Sequence, residues 1–287
     1  MERAAFTDPG FLPSVEADRQ IGAAIVVGDE HWSFQTGAYG ASVGPVDGDT
    51  DFEIPGQEAF DNDKFAVSVR GTVAPINREV NGVHQVVHLG ASFRHRDAGT
   101  LNVCSPRLSV ADGEETGEGN GSFCTNSADD GVNGLFQYRG RGADLHLADA
   151  FVDTPQFSEE DNMWHLEAAF VWGPFSMQGE YAELEADGAR FADANFPDPV
   201  TPVNPTYTGW YVDASWYLTG ETRNYEGAEG LFGRTKVRAP VWDSGGGGYN
   251  GVRGWGAWQI AARYDVLDLS DKAAAMQVAY GCSECGE

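Results

Sequence analysis

The sequence predicts an all-β fold of antiparallel strands, and three observations lead to that prediction. The 287 residues include 37 Gly, 8 Trp, 10 Tyr and 16 Phe, a composition that favours strands and tight turns. Apolar and polar residues alternate with a period of two in many segments, while helical periodicity is almost absent. No apolar run approaches the roughly 20 residues of a membrane-spanning helix, so a helical membrane protein is excluded.

The alternating segments are the predicted strands. In chain order they cover residues 20–27, 31–39, 65–73, 84–94, 164–172, 175–184, 210–218, 258–266 and 273–280. The pattern is clearest in 164–172, 210–218 and 258–266, and weakest in the first two, the sixth and the last of these segments. One side of each predicted strand is therefore apolar and the other side polar.

Strand length and aromatic placement favour a transmembrane β-barrel. Several alternating segments are longer than the usual strand of about 5 or 6 residues, and a tilted strand crosses a bilayer in about 9–11 residues. Trp164 and Trp172 bracket one apolar face, and Trp210 and Trp216 bracket another, as aromatic girdles would. We expect these four residues and Trp258 to face lipid. A soluble β-sandwich also alternates, so the pattern alone leaves both folds open.

The connections between predicted strands are of two kinds. Short links cover residues 28–30, 173–174 and 268–272, whereas long polar links cover 40–63, 95–134 and 185–206. Short turns at one end and long loops at the other are the layout of outer-membrane barrels. If short and long links alternate strictly along the chain, another strand must lie between 219 and 255. Leu231–Arg238 is the candidate for this strand. Residues 135–162 then contribute no strand or two, giving 10 or 12 strands in an incomplete barrel.

The net charge of the chain restricts the kinds of molecule that it can bind. The chain has 18 Lys+Arg against 44 Asp+Glu, a net charge of −26, which argues against nucleic acid. The few cations fall largely on polar faces, where they would line a water-filled interior and could bind anions. The candidates for this lining are Lys64, Arg70, Arg94, Arg139, Arg141 and Arg263. Ordinary cross-strand pairing with Asp or Glu is the alternative for each of them.

No cofactor, metal or catalytic site is expected. Of the four cysteines, Cys282 and Cys285 form a lone CxxC pair, which is a weak zinc signal. Cys104 and Cys124 flank a loop and could form a disulfide in an oxidising compartment. The GxGxxG at 246–251 has neither a preceding predicted strand nor a following helix, so it indicates a Gly-rich loop.

Several motifs resemble those of one family. Residues 211–225 (YVDASWYLTGETRNY), 256–269 (GAWQIAARYDVLDL), 173–181 (GPFSMQGEY) and 88–92 (HLGAS) occur in that order, after ER at 2–3 and RQIG at 19–22. The chain is thereby similar to the phosphate-selective porin O and P family, over nearly its whole length. Arg263 stands at the position of an arginine in that family's strand motif.

The resemblance implies a 16-stranded outer-membrane barrel, a homotrimer in contact with outer-membrane lipid and lipopolysaccharide. It implies passive diffusion of small solutes through a water-filled channel, with anions such as phosphate or polyphosphate as candidates, and no enzymatic activity. Residues 1–287 would be a single porin barrel domain lacking N-terminal and C-terminal strands, and the signal peptide would be absent from this fragment. The alternatives are a secreted β-sandwich carbohydrate-binding module and a glycosidase on a β scaffold.

Overall fold

The computed structural model describes residues 20–42, 65–81, 83–97, 110–111, 114–115, 136, 138–141, 150–154, 157–188, 202–241 and 254–280. The longer strands are β1 (Gln20–Gly28), β2 (Trp32–Ser42), β3 (Phe65–Val80), β4 (Val83–Asp97), β9 (Ser158–Trp172), β10 (Phe175–Gly188), β11 (Thr206–Tyr217) and β14 (Gln259–Asp268). The shorter elements are β5 (Val110–Ala111), β6 (Glu114–Glu115), β7 (Arg139–Arg141), β8 (Ala150–Asp153), β12 (Tyr225–Glu226), β13 (Leu231–Phe232) and helix α1 (Ala273–Tyr280).

The longer strands form one antiparallel sheet in the order β1-β2-β3-β4-β9-β10-β11-β14. Within the described ranges this sheet does not close on itself, because no strand pairs with the outer edge of β1 or β14. The predicted fold class, an incomplete antiparallel barrel sheet, is confirmed. In the described part of the chain this sheet has eight strands. The sequence predicted 10 or 12.

Most short and long connections lie at opposite ends of the sheet, as predicted, but the predicted short link 268–272 joins no second strand, because helix α1 follows it. Tight connections join β1 to β2, β3 to β4 and β9 to β10 at one end, here called the turn end. In the last of these, Gly173 adopts a φ of 59°, a left-handed conformation that glycine accommodates without strain. The links from β2 to β3, β4 to β9 and β10 to β11 lie at the opposite end, here called the loop end.

The two faces of the sheet also differ. In β9, Trp164 and Leu166 are each 58% exposed, whereas the intervening His165 is 8% exposed. The apolar outward face is thus open, and the polar inward face is covered by other parts of the chain. The predicted outward tryptophans are all exposed on this face: Trp164, Trp172, Trp210, Trp216 and Trp258.

The prediction of a strand over Leu231–Arg238 is wrong. Only Leu231–Phe232 is a strand, and it pairs with Tyr225–Glu226 outside the main sheet. Both ends of the link from β11 to β14 instead lie at the turn end, where the Leu218 amide donates to the carbonyl of Trp258 at 2.8 Å. Part of this link, residues 219–238 and here called the fold-back segment, packs on the inward face. A long link at the turn end removes the need for another strand.

Two apolar clusters lie on the inward face. The turn-end cluster combines strand residues with the fold-back segment: Ala74, Val86, Ala169, Val171, Tyr225 and Phe232. The loop-end cluster contains Tyr138, Phe157, Met163, Ala182, Leu184, Ala186, Tyr207, Tyr211, Leu269 and Met276. Because these apolar side chains are buried there, much of the inward face is inaccessible to solvent although it bears many polar residues.

The weak strand predicted at 273–280 is also wrong, because these residues form helix α1. Three consecutive alanines favour a helix, and Met276 is buried in the loop-end cluster. Among the described residues, no helix has the length and apolar character that crossing a bilayer requires.

Residues 135–162 contribute no strand to the main sheet before β9, since β7 and β8 pair only with each other among the described strands. Several predictions lie outside the described residues: those for Lys64, the Cys104–Cys124 disulfide, the CxxC at 282–285 and the Gly-rich motif at 246–251.

Candidate functional site

A belt of ionisable side chains crosses the inward face from β3 to β14. We call it the charged belt and define it as Arg70, His88, His165, Glu167, Glu180, Asp213 and Arg263. The alternation of the strands places all of these side chains on one face. The belt lies between the turn-end and loop-end clusters, so its groups interact mostly with one another.

Arg70 and Glu167 form the first ion pair of the belt. The Arg70 Nη2 atom lies 2.6 Å from Glu167 Oε1, and Nε donates to the same oxygen at 2.9 Å. The bond joins β3 to β9 across the intervening β4, where Gly90 stands directly opposite Glu167. A β-carbon at Gly90 would overlap the Glu167 side chain, so glycine makes this contact possible.

The fold-back segment accepts further hydrogen bonds from Arg70. Nη1 donates to the carbonyl of Glu229 at 3.2 Å, and Nη2 donates to that of Gly230 at 2.9 Å. His88 contacts both partners of this junction, because its Nε2 lies 3.4 Å from Glu167 Oε1 and its Nδ1 is 2.8 Å from the Tyr225 hydroxyl. The segment is therefore bonded to the sheet rather than merely packed on it.

The middle of the belt is a chain of hydrogen bonds. His165 Nε2 lies 3.1 Å from Glu180 Oε2, and the Tyr211 hydroxyl donates to Glu180 Oε1 at 2.7 Å. Gln178 Nε2 donates to the Tyr211 hydroxyl at 3.0 Å, and Arg223 Nη1 donates to Gln178 Oε1 at 2.5 Å. These bonds connect β9, β10, β11 and the fold-back segment.

At the β14 edge, Arg263 Nη2 donates to Asp213 Oδ2 at 3.0 Å. The Arg263 guanidinium also lies 4.5 Å from the centre of the Tyr211 ring, a cation–π contact. Asp213 is 1% exposed, so the pair lies largely out of water.

A second ionic cluster lies nearer the loop end. Asp161 is fully buried and accepts hydrogen bonds from the guanidinium of Arg96 and, at 2.8 Å, from the Tyr138 hydroxyl. The Arg94 Nη2 atom is 3.5 Å from Asp161 Oδ1. Asp161 is thus shared by two arginines on β4, and its single negative charge can balance only one of them.

Two cavities adjoin these groups. One, of about 350 Å³, is lined by Arg70, Arg94 and His165 together with Ser68 and Ser92. The other, of about 590 Å³, opens at the turn end beside the fold-back segment and is lined by Glu30, Glu79, Glu226 and Glu229, with Arg78 and His84. Neither group of residues resembles a metal site, and the described residues contain no cluster of three or more metal-ligating side chains.

The predicted lining residues fall into three groups. Arg70, Arg94 and Arg263 lie on the inward face, and each contacts a carboxylate. Arg139 and Arg141 belong to β7, of which only the backbone is described, and Lys64 lies outside the described residues. A role of any of the six in binding anions stays a prediction.

Sequence reasoning did not single out the carboxylates of the charged belt. Glu167 and Asp213 stood on the polar side of predicted strands, which is the signal that they face inward. Their partners depend on strand order, since Arg70 and Glu167 are 97 residues apart in sequence.

The pattern of an open apolar face and an ionic inward face can be compared with known proteins. A family model described as phosphate-selective porin O and P matches residues 125–283, more than half of the chain. The chain belongs to this family. Membership implies an outer-membrane β-barrel protein and agrees with the motifs at 173–181, 211–225 and 256–269.

Two curated relatives share similarity with the chain. An uncharacterized protein of Caulobacter vibrioides is 27% identical over 278 residues, which cover 95% of this chain and 42% of that protein. Porin O of Pseudomonas aeruginosa is 27% identical over 226 residues, which cover 76% of this chain and 41% of Porin O. The chain therefore spans about two fifths of the length of each of these relatives.

Proposed function

We propose that this chain forms part of a closed outer-membrane barrel through which small solutes diffuse passively. The main observation in support of this proposal is the contrast between the two faces of the sheet. The outward face is apolar and exposed, whereas the inward face bears the charged belt. A barrel with this arrangement presents apolar side chains to lipid and charged side chains to a water-filled channel.

The dimensions of the outward face support this proposal. Trp164 and Trp172 are eight residues apart on β9, which is about 27 Å along the strand and about 21 Å along the membrane normal at a tilt of about 40°. The outward residues between them are Leu166, Ala168 and Phe170, none of which is charged. Outer-membrane barrels have an apolar band about 25 Å tall between two aromatic girdles.

The alternative of a carbohydrate-binding β-sandwich requires a second sheet on the apolar face. In the described part of the chain no second sheet covers the outward side of β9, β10 and β11, where Leu166, Val212 and Trp216 remain exposed. We therefore favour the barrel, without enzymatic activity, over a sandwich or a glycosidase.

Planar-bilayer recording tests the proposal directly. The complete barrel-forming polypeptide, refolded in detergent, should insert and produce discrete conducting steps. Depth-dependent quenching by brominated lipids should identify Trp164 and Trp216 as lipid-facing, when each is compared with a variant that carries phenylalanine at that position. A well-folded product without conducting steps would contradict the channel, and quenching that is independent of depth would contradict the membrane placement.

Assembly and solute remain separate parts of the proposal. Family resemblance supports a homotrimer in contact with lipopolysaccharide, which cross-linking and native mass spectrometry in detergent would test. A monomer under all detergent conditions would contradict the trimer. Small ions are the proposed solutes, and phosphate is the anion named by the family's description.

A further inference from the structure

We propose that protonation of His165 controls how strongly the channel favours anions. The inference rests on the proposed channel function. It concerns the cavity of about 350 Å³ on the inward face, which His165 lines together with Arg70 and Arg94. Histidine is the side chain that ordinarily changes charge between about pH 5 and about pH 8. A proton on this ring adds a positive charge to a cavity wall that already carries two guanidinium groups.

The lining of this cavity suits an anion. Arg70 and Arg94 supply guanidinium groups, and Ser92 supplies a hydroxyl group that can donate a hydrogen bond. In the described part of the chain no Asp or Glu belongs to this lining, whereas four glutamates line the turn-end cavity. Positive charge remains at the wall, since Arg94 shares the single charge of Asp161 with Arg96.

His165 lies among charged groups from the strands that surround it. Its side chain is largely buried, and its Nε2 atom lies 3.1 Å from Glu180 Oε2 on β10. A proton on the ring would therefore form an ion pair with Glu180 and lie beside the two arginines of the cavity. The charged and titratable groups around this position are Glu180 on β10, Arg94 and His88 on β4, Arg70 on β3, Glu167 and Asp161 on β9, and Tyr211 on β11.

The Ser92 hydroxyl connects the charge state of His165 to the cavity. Its Oγ atom lies 3.4 Å from Nδ1, the ring nitrogen that does not contact Glu180. When only Nε2 carries a proton, that N–H donates to Glu180 and Nδ1 accepts from Ser92. When Nδ1 is also protonated it becomes a donor, so Ser92 can accept there and turn its own O–H toward an anion. Protonation thus adds a charge and a hydrogen-bond donor to the same cavity.

The test is the reversal potential across a KCl gradient, recorded at about pH 8 and about pH 5 on the complete barrel-forming polypeptide. Sulfate is the added oxyanion, because it stays doubly charged over this range whereas phosphate changes its own charge. In wild type, the chloride-to-potassium permeability ratio should rise about twofold or more at the lower pH, and block by sulfate should strengthen. His165→Gln, whose side chain is neutral at both pH values, should lose this pH dependence.

Three further variants serve as controls. His165→Lys, which is charged at both pH values, should show the high permeability ratio throughout. Ser92→Ala should keep the change in the ratio but lose the strengthening of sulfate block. His95→Gln removes a histidine from the outward side of β4, where the ring contacts Asn162, and should behave as wild type.

The possible failures are distinguishable. A wild-type ratio that is the same at both pH values would overturn the inference alone, as would a conducting His165→Gln channel that keeps the wild-type change. Sulfate block that strengthens equally in Ser92→Ala would overturn the part assigned to the hydroxyl. Absence of conducting steps in wild type would overturn the channel function and this inference with it.

Discussion

Gly90 lets Glu167 of β9 reach Arg70 of β3 across the intervening strand β4. Two strand spacings separate β3 from β9, about 10 Å, and any larger residue at Gly90 would occupy the path of the carboxylate. The sequence shows a glycine in an otherwise alternating strand, which signals close approach of another group. It does not show which group, because that depends on the register of β4 against β9.

Asp161 provides a test of how much a buried ion pair stabilises the sheet. Asp161→Asn should lower the free energy of unfolding by about 3 kcal/mol or more, because Arg94 and Arg96 lose their common carboxylate in a buried site. Denaturant unfolding in detergent measures this difference. Glu159→Gln, an exposed change on the same strand, should stay within about 0.5 kcal/mol of wild type. Equal effects of the two substitutions would contradict this assignment.

At the scale of elements, alternation predicted the main strands well, and most clearly β9, β10 and β11, each of which has one buried and one exposed side, whereas residues 22–28 of β1 are exposed on both sides. The prediction failed where tertiary contacts decide conformation. A strand over 231–238 was expected because short and long links were assumed to alternate. Instead, Gly230, with a φ of 64°, brings the fold-back segment against the sheet. A β-carbon there would overlap Thr72 and Ser33, an approach that local sequence patterns do not reveal.

The fold-back segment should respond to acid through Glu221. Burial opposes the charge of this carboxyl, but hydrogen bonds from the Thr219 hydroxyl and the amides of Glu221 and Arg238 hold its pKa below the ordinary 4.5. Its contribution to stability is therefore fully present above pH 4.5 and is lost as the pH falls through the lower folded value.

Hydrogen exchange measures this response. Between about pH 6 and about pH 3, protection of peptides from 219–238 should fall relative to β9, after correction for intrinsic rates. Glu221→Gln should lack the pH dependence and show low protection throughout. Equal protection of the wild-type segment at both pH values would show that Glu221 does not hold it in place.

At the scale of the whole molecule, the outward face determines which solvents the chain tolerates. Trp216 is 57% exposed and Ile260 is 62% exposed, within a continuous apolar surface. We expect residues 1–287 expressed alone to aggregate in buffer and to disperse in detergent, because such a surface is covered in a native environment. Light scattering during detergent dilution tests this expectation, and a monodisperse product without detergent would contradict the membrane assignment.

The strand order has a consequence for assembly kinetics. Most neighbours in the sheet are also neighbours in sequence, so hairpins can form early through local contacts. Two neighbouring pairs are not consecutive strands: β11 with β14, which 41 residues separate, and β4 with β9, whose pairing must close the longer loop of 60 residues between Asp97 and Ser158. This joint should form last within the sheet, uniting a β1–β4 unit with a β9–β14 unit. Its completion would bring Glu167 to Arg70, so this ion pair would also report that the two halves have docked.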